Sequence, residues 1–335
     1  MANWYSAIGP EQDVIVSSRV RLARNIAGMP FCSKLTDTQR NEINQRVKSA
    51  LAEINTPFVK NLKYIEMDNV PESEIMAMVE RHIISPNFAN NFSGRAIIIS
   101  EDESVSVMIG EEDHLRIQVL CAGLDIKKAY DIAERLDTLL CEKLHFAYHN
   151  ELGYLTECPT NIGTGLRASV MLHLPMLSLS GKVGRLADAV SKIGFTVRGL
   201  YGEGSGAGAD LHQLSNQITL GLSEKDALDN LQNVAMQFVA QELNERENAD
   251  RAHLEDNIFR ALGILKNARI LSSKEMMELV SMIKLGIGMG IIDIEKTLPM
   301  KILVECQPNT LIAKSGVTDP DERDRLRAEI IRNLL

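Results

Sequence analysis

Apolar residues recur at helical spacing over 37–54, where Ile43, Val47, Leu51 and Ile54 stand three or four apart behind Thr36 and Gln39, a pair that makes a capping box. A second helix is predicted through PESEIMAMVERHI. The period then changes. RAIIIS, VSVMI and LRIQVL are short β-prone runs separated only by EDES and GEEDH, and connections that short favour an antiparallel meander. Helical spacing returns in DIKKAYDIAERLDTLLCEKL, where Ile126, Ala129, Ala133, Leu136 and Leu140 form a stripe beneath an Asp125 cap.

Strict alternation marks the next stretch. In LRASVMLHL the apolar positions Leu166, Ala168, Val170, Leu172 and Leu174 alternate with Arg167, Ser169, Met171 and His173, so Arg167 projects from the opposite face of a strand. Near the start, DVIVSSRVRLARN places a short apolar run before Arg19, Arg21 and Arg24. GRLADAVSKIG reads as a helix ended by Gly194, FTVRG and HQLSNQITLG as strands, and GEGSGAGAD as a mobile loop between them. Ser223 caps one long helical run to about Leu265, Ser272 and Glu275 make another capping box, and Asp319–Pro320 opens the last helix. The pattern predicts an α+β region over 1–245, an antiparallel sheet flanked by helices, followed by an all-α region over 246–335.

Composition narrows the function. A chain of 335 residues can bury a sizeable core, and its five cysteines are odd in number and lack CxxC spacing, so neither a disulfide framework nor a zinc or other protein-borne metal site is expected. No stretch approaches the ~20 consecutive apolar residues of a membrane span, and MANWYSAIGPEQD does not read as a leader, so a cytoplasmic protein without membrane contact is expected. A net charge of -9 opposes general nucleic-acid binding. Any anion site must therefore be local.

Arginines supply one. Arg19, Arg21, Arg116, Arg167 and Arg198 all fall in or beside strand segments, and guanidinium forks converging on one pocket would bind a triphosphate without a glycine-rich cradle. Singly, each reads as a solvated strand residue or an ion-pair partner before it reads as a phosphate ligand. Glu111, Glu112 and Asp113 in GEEDH fit a solvated turn, or a magnesium ligand and a lure for a cationic substrate, with Glu203 as a second carboxylate. His114 fits a satisfied turn histidine. The Gly202, Gly204, Gly206 and Gly208 array matches neither phosphate-binding glycine motif and fits a flexible linker or a closing lid. Cys158, held extended before Pro159, either presents a thiol to a pocket or is inert.

SSRVRLARN, EEDHLR, CPTNIGTGLRASV and SNQITLG, in that order, resemble the successive signature blocks of phosphagen (guanidino) kinases over residues 14 to 222. The resemblance implies a phosphagen-kinase-like catalytic domain using ATP and Mg²⁺. It implies that Arg19, Arg21, Arg116, Arg167 and Arg198 clamp the nucleotide phosphates, that Glu112 and Glu203 hold the acceptor guanidinium beside the Cys158 thiol, and that His82 stacks on adenine. Three departures qualify it. The helical domain that precedes the first arginine block in creatine and arginine kinases is not found, which implies an open acceptor site; Met171 stands where a histidine near adenine is usual; and the chain after about 245 is helical. These features resemble the bacterial protein-arginine kinase branch of the family. RDRLRA, residues 323 to 328, resembles that branch's RDxxRA pattern, which implies that Arg323 and Asp324 form an allosteric phosphoarginine pocket. The branch implies protein substrates with exposed arginines, a homodimer, a zinc-binding activator, and a Clp-type ATPase receiving tagged proteins in stress response and protein quality control. A small-molecule guanidino kinase and a non-catalytic phosphoarginine-binding adaptor are the alternatives.

Overall fold

The computed structural model describes residues 3–199 and 208–335. Its first strand, β1 (Ile15–Arg24), lies mid-sheet, because one of its faces is apolar enough to be fully covered while the other carries Arg19 and Arg21. Thr36 and Gln39 close the expected capping box on α1 (Asp37–Glu53), and α2 (Pro57–Lys60) is a single turn started by Thr56 and Pro57. A strand that the pattern did not reveal follows, β2 (Leu62–Glu66), then α3 (Glu72–Glu80) and α4 (Pro86–Asn90). The meander is as expected: β3 (Ala96–Ser100), β4 (Val105–Ile109) and β5 (Leu115–Ala122) pair antiparallel in sequence.

In α5 (Ile126–Leu144) the apolar stripe packs on the sheet, but Asp125 makes no side-chain cap; its own N–H donates instead to Ser18 Oγ at 2.9 Å. A small hairpin, β6 (Tyr148–His149) and β7 (Gly153–Tyr154), precedes β8 (Leu166–His173). The chain continues through α6 (Pro175–Leu179), α7 (Val183–Ser191), β9 (Phe195–Gly199) and β10 (Leu211–Asn216). The long helical run then divides. α8 (Glu224–Glu247) stops at Asn248, and Asp250 starts α9 (Arg251–Asn267) by accepting the N–H groups of Ala252 and His253. Asp and Asn side chains compete for local backbone donors, which helical periodicity does not register. α10 (Ser273–Gly288), α11 (Leu298–Glu305), α12 (Pro308–Ser315) and α13 (Pro320–Leu334) complete the helical region.

Among the described residues the main sheet has the order β2-β3-β4-β5-β1-β8-β10-β9, antiparallel throughout. One face is largely apolar: Val20, Leu22, Ile117, Val119, Ala168 and Val170 lie in a core closed by α1, α5 and α8. The other is covered only in part. α3 and α4 cover Ile97, Ile99 and Met108, and the helical region covers Val16, Leu120 and Leu211, which leaves the middle of that face open.

Buried ion pairs and capped helix ends fix these layers. Arg24 points to the apolar side, away from Arg19 and Arg21, where its Nη2 lies 2.9 Å from Asp137 and its guanidinium stacks 3.5 Å from the Tyr154 ring centroid. Glu80, at the end of α3, accepts the Asn309 and Thr310 N–H groups at 2.9 and 2.7 Å and so caps α12. Asp137→Ala, which strands the Arg24 charge, is expected to lower unfolding free energy by about 3–5 kcal/mol in urea titrations; a loss below about 1 kcal/mol would show that the Tyr154 ring and the backbone carbonyls suffice for that charge.

Candidate active site

Register assembles the site. Ser169 stands opposite Arg19, Arg167 opposite Arg21, Arg116 opposite Ala23, and Arg198 opposite Gln213, so all five predicted arginines share the open face. With His82 they line one cleft of ≈ 270 Å³, joined by Gln118, Gln213 and Ser215. Arg19 is anchored through Nε to Ser169 Oγ at 3.4 Å and through Nη2 to Gln213 Oε1. Arg116 Nη1 meets Glu111 at 2.6 Å and Arg167 Nη2 meets Thr160 Oγ1 at 3.3 Å. Arg21 makes no side-chain hydrogen bond or ion pair among the described residues, and the Nε atoms of Arg21 and Arg167 are buried without a partner.

So many guanidiniums depress one another. Burial, then Arg116, lowers Arg19 to about 10. Burial, then Arg19, Arg116 and Arg167, pushes Arg21 well below its ordinary value. The face thus crowds like charges with little to neutralise them, and two of its buried N–H donors have no partner.

Beside it an apolar pocket is walled by Trp4, Met171 and Leu211 and by Met300, Leu303 and Val304 of α11, with His82 and Arg19 at the junction. His82 follows the last turn of α3 with φ +62°, and its ring centroid is 6.4 Å from that of Trp4. Burial, then Arg19, lowers its pKa to about 4, so the ring is neutral at pH 7.

A second cleft, ≈ 560 Å³ and more open, contains Glu112 and Cys158 together with Glu111, Glu157, Arg40 and Arg95. GEEDH is no solvated turn. Asp113 is buried and accepts from Asn25 Nδ2 at 2.6 Å and from the Glu157 N–H at 2.8 Å; His114 accepts the Ile26 N–H and is the satisfied turn histidine. Burial raises the Glu111 carboxyl, but Arg116, the Glu112 N–H and Ser85 outweigh it and hold Glu111 below the usual range. Burial raises Glu112, with Glu111 and Asp113 adding to the rise while Arg116 and the Cys158 thiol oppose it. Cys158 Sγ lies 3.0 Å from Thr160 Oγ1. Glu111, ion-paired to Arg116, joins the two clefts, leaving the half-buried Glu112 as the more basic carboxylate.

Comparison with known proteins places this geometry. The family described as ATP:guanido phosphotransferase, C-terminal catalytic domain, matches residues 42–245. The chain belongs to that family. Residues 251–335 match the Protein-arginine kinase McsB C-terminal domain. Over 337 residues the chain is 44% identical to a protein-arginine kinase of Pelotomaculum thermopropionicum, covering 99% of this chain and 95% of that one. It is 42% identical over 340 residues to a protein-arginine kinase of Halothermothrix orenii, covering 100% and 97%. A lombricine kinase crystal structure shares the fold at TM-score 0.63 and 23% identity over 75% of this chain and 73% of its own. The duplicated taurocyamine kinase from Schistosoma mansoni with transition state analog components also gives TM-score 0.63, at 24% identity, over 82% and 41%.

Two groups of predicted residues stand apart. Glu203 and the glycine array up to Gly206 lie outside the described residues. Arg323 and Asp324, on α13, line neither cleft; Asp324 pairs with the buried Arg327, and Arg323 donates to the Thr318 carbonyl. Gln213 and Ser215 escaped the sequence reading, although the β10 alternation marks them. Trp4, Met300 and Val304 left no local signal, since they meet only across the folded chain.

Because the folded-state pKa of His82 is lowered from 6.5 to about 4, its contribution to stability is present above about pH 6.5 and is lost as pH falls toward 4. His82→Asn, which tolerates the positive φ, is expected to lose about 1–2 kcal/mol less than wild type between pH 7 and pH 5 in urea titrations at both pH values. Equal losses would place the acid-sensitive group elsewhere.

Proposed function

We propose that this chain transfers the γ-phosphoryl group of ATP to arginine side chains of proteins. The observation that carries the reading is the convergence of five arginines on one sheet face, next to a cleft holding Glu112 and Cys158. Support for a protein acceptor comes from the full-length likeness to protein-arginine kinases and from the openness of that second cleft.

Arg19, Arg21, Arg116, Arg167 and Arg198 hold the phosphates, with the orphaned Nε atoms of Arg21 and Arg167 as donors for their oxygens. The base lies toward Trp4, Met171 and α11, where the neutral His82 ring stacks without adding charge. The donor set of this face is almost wholly cationic, which suits phosphate oxygens rather than a bare cation, so Mg²⁺ would be carried mainly by the nucleotide and its waters. When bound, Mg²⁺ spreads the charge of the transferring phosphoryl.

An arginine guanidinium is a poor nucleophile until it loses a proton. Glu112 accepts that proton as the Nω–phosphorus bond forms and the γ-phosphorus–oxygen bond to ADP breaks, and its raised pKa suits it to the task. Cys158 borders the acceptor group. Glu203 is the second carboxylate by resemblance. The product reading extends to the helical region over 246–335, which serves homodimerisation and in which Arg323 and Asp324 bind phosphoarginine; the buried, unpartnered Arg323 Nε supports that role. A zinc-binding activator and a Clp-type ATPase are the proposed partners, and the cytoplasm the proposed location. No helix among the described residues is long and apolar enough to cross a membrane.

Incubation with Mg²⁺, γ-labelled ATP and an unfolded arginine-containing protein is expected to label the protein with phosphate that acid removes and mild alkali spares. Glu112→Gln is expected to lower kcat at least about 100-fold while ATP affinity stays within about twofold. Label confined to free guanidines would reassign the chain to small-molecule guanidino phosphorylation.

A further inference from the structure

The acceptor cleft holds charge of both signs. Arg40, in the first turn of α1, and Arg95, immediately before β3, line it opposite Glu112 and Glu157. Both lean over Gly110: a Cβ placed there would lie 3.7 Å from Arg95 Cγ and 3.8 Å from Arg40 Nη1. Among the described residues neither has a carboxylate hydrogen-bonded to it. The Arg95 guanidinium reaches only the Asn87 and Phe88 carbonyls, each at 3.3 Å, and lies 5.3 Å from the Phe88 ring centroid. The Arg40 side chain, half-buried, makes no hydrogen bond or ion pair among the described residues; burial lowers Arg95, Glu111 opposes that fall from a distance, and the Arg40 charge adds to it.

Glu111 acts on Arg95 from across the cleft but spends its oxygens on Arg116, Ser85 and the Glu112 N–H. Glu157 likewise accepts the Ser33 N–H at 3.1 Å. Two cations held together without a hydrogen-bonded carboxylate, beside a pocket that must admit a third cation, leave their forked donors open to a carboxylate that the acceptor brings with it.

We propose that Arg40 and Arg95 form a carboxylate subsite that selects target arginines having an aspartate or glutamate beside them in the acceptor chain. The target guanidinium sits against Glu112, and the neighbouring carboxylate takes the forked donors of Arg40 and Arg95. The cleft is therefore complementary to an acidic–basic pair rather than to arginine alone. This specificity rests on the protein-arginine kinase reading and narrows its substrate class.

The test compares two amidated, unstructured peptides that differ only in whether Asp or Asn flanks one arginine. Wild type is expected to favour the Asp peptide about tenfold in kcat/KM, chiefly through KM. In Arg40→Gln/Arg95→Gln that preference is expected to fall to within about twofold, with the Asn peptide turned over as fast as by wild type or faster. Arg40→Glu, a second variant, is expected to shift preference toward a Lys-flanked peptide. Equal use of the Asp and Asn peptides by wild type, or a preference that survives in the double variant, overturns the subsite while leaving the kinase intact. Transfer to neither peptide, nor to an unfolded protein, overturns the kinase reading and this proposal with it.

Discussion

Everything in the active region depends on holding like charges together. Arg21 and Arg167 face each other directly across β1 and β8, and Arg116 stands two residues along on β5, opposite Ala23. Opposed like charges destabilise a strand pair, and here burial sharpens the repulsion. Among the described residues no carboxylate pairs with Arg21, and the more distant charge of Glu111 offsets its neighbours only in part. The arginines stay in place because the reverse face of the same strands is continuous aliphatic core under α1, α5 and α8, so their positions are fixed by main-chain register and apolar packing. On the proposed reading, this crowding is preorganisation for the nucleotide phosphates.

Much of this was legible in the chain. Alternation in LRASVMLHL put Arg167 on the face opposite the core, short gaps predicted the antiparallel meander, and Thr36, Ser223, Ser272 and Asp319 all cap the helices expected of them. Register was not legible. That Arg24 turns away to meet Asp137 while Arg19 and Arg21 turn inward follows from parity along β1, yet that the arginines of β5, β8 and β9 join the inward pair depends on pairings between distant segments. Asp125 illustrates the limit of local chemistry: a residue well suited to capping makes no cap because Ser18 already fixes its backbone. GEEDH shows the same limit for charge. Three adjacent carboxylates read as solvated until Asn25, Arg116 and Ser85 arrive from elsewhere to satisfy two of them.

The helical region belongs to the site's architecture rather than standing beside it. Glu80 ties α3 to the start of α12, and two residues later His82 turns into the cleft through a left-handed backbone. Met300, Leu303 and Val304 of α11 wall the apolar pocket that adjoins the arginines. A buried chain from Asp210 through Ser281 Oγ to His173 Nε2, at 2.6 and 2.9 Å, joins α10 to the ends of β10 and β8. A movement of these helices would therefore reach the face through packed contacts.

On the proposed reading, the crowded arginine face is strained without an anion and relieved by one. Thermal unfolding of wild type and Arg21→Met, each with and without inorganic tripolyphosphate, tests it most directly. The unliganded variant is expected to melt a few degrees above wild type, and the tripolyphosphate-induced rise in Tm is expected to shrink sharply. An unliganded variant that melts lower, with the induced rise intact, would mean that Arg21 supports the fold and that the anion is held elsewhere.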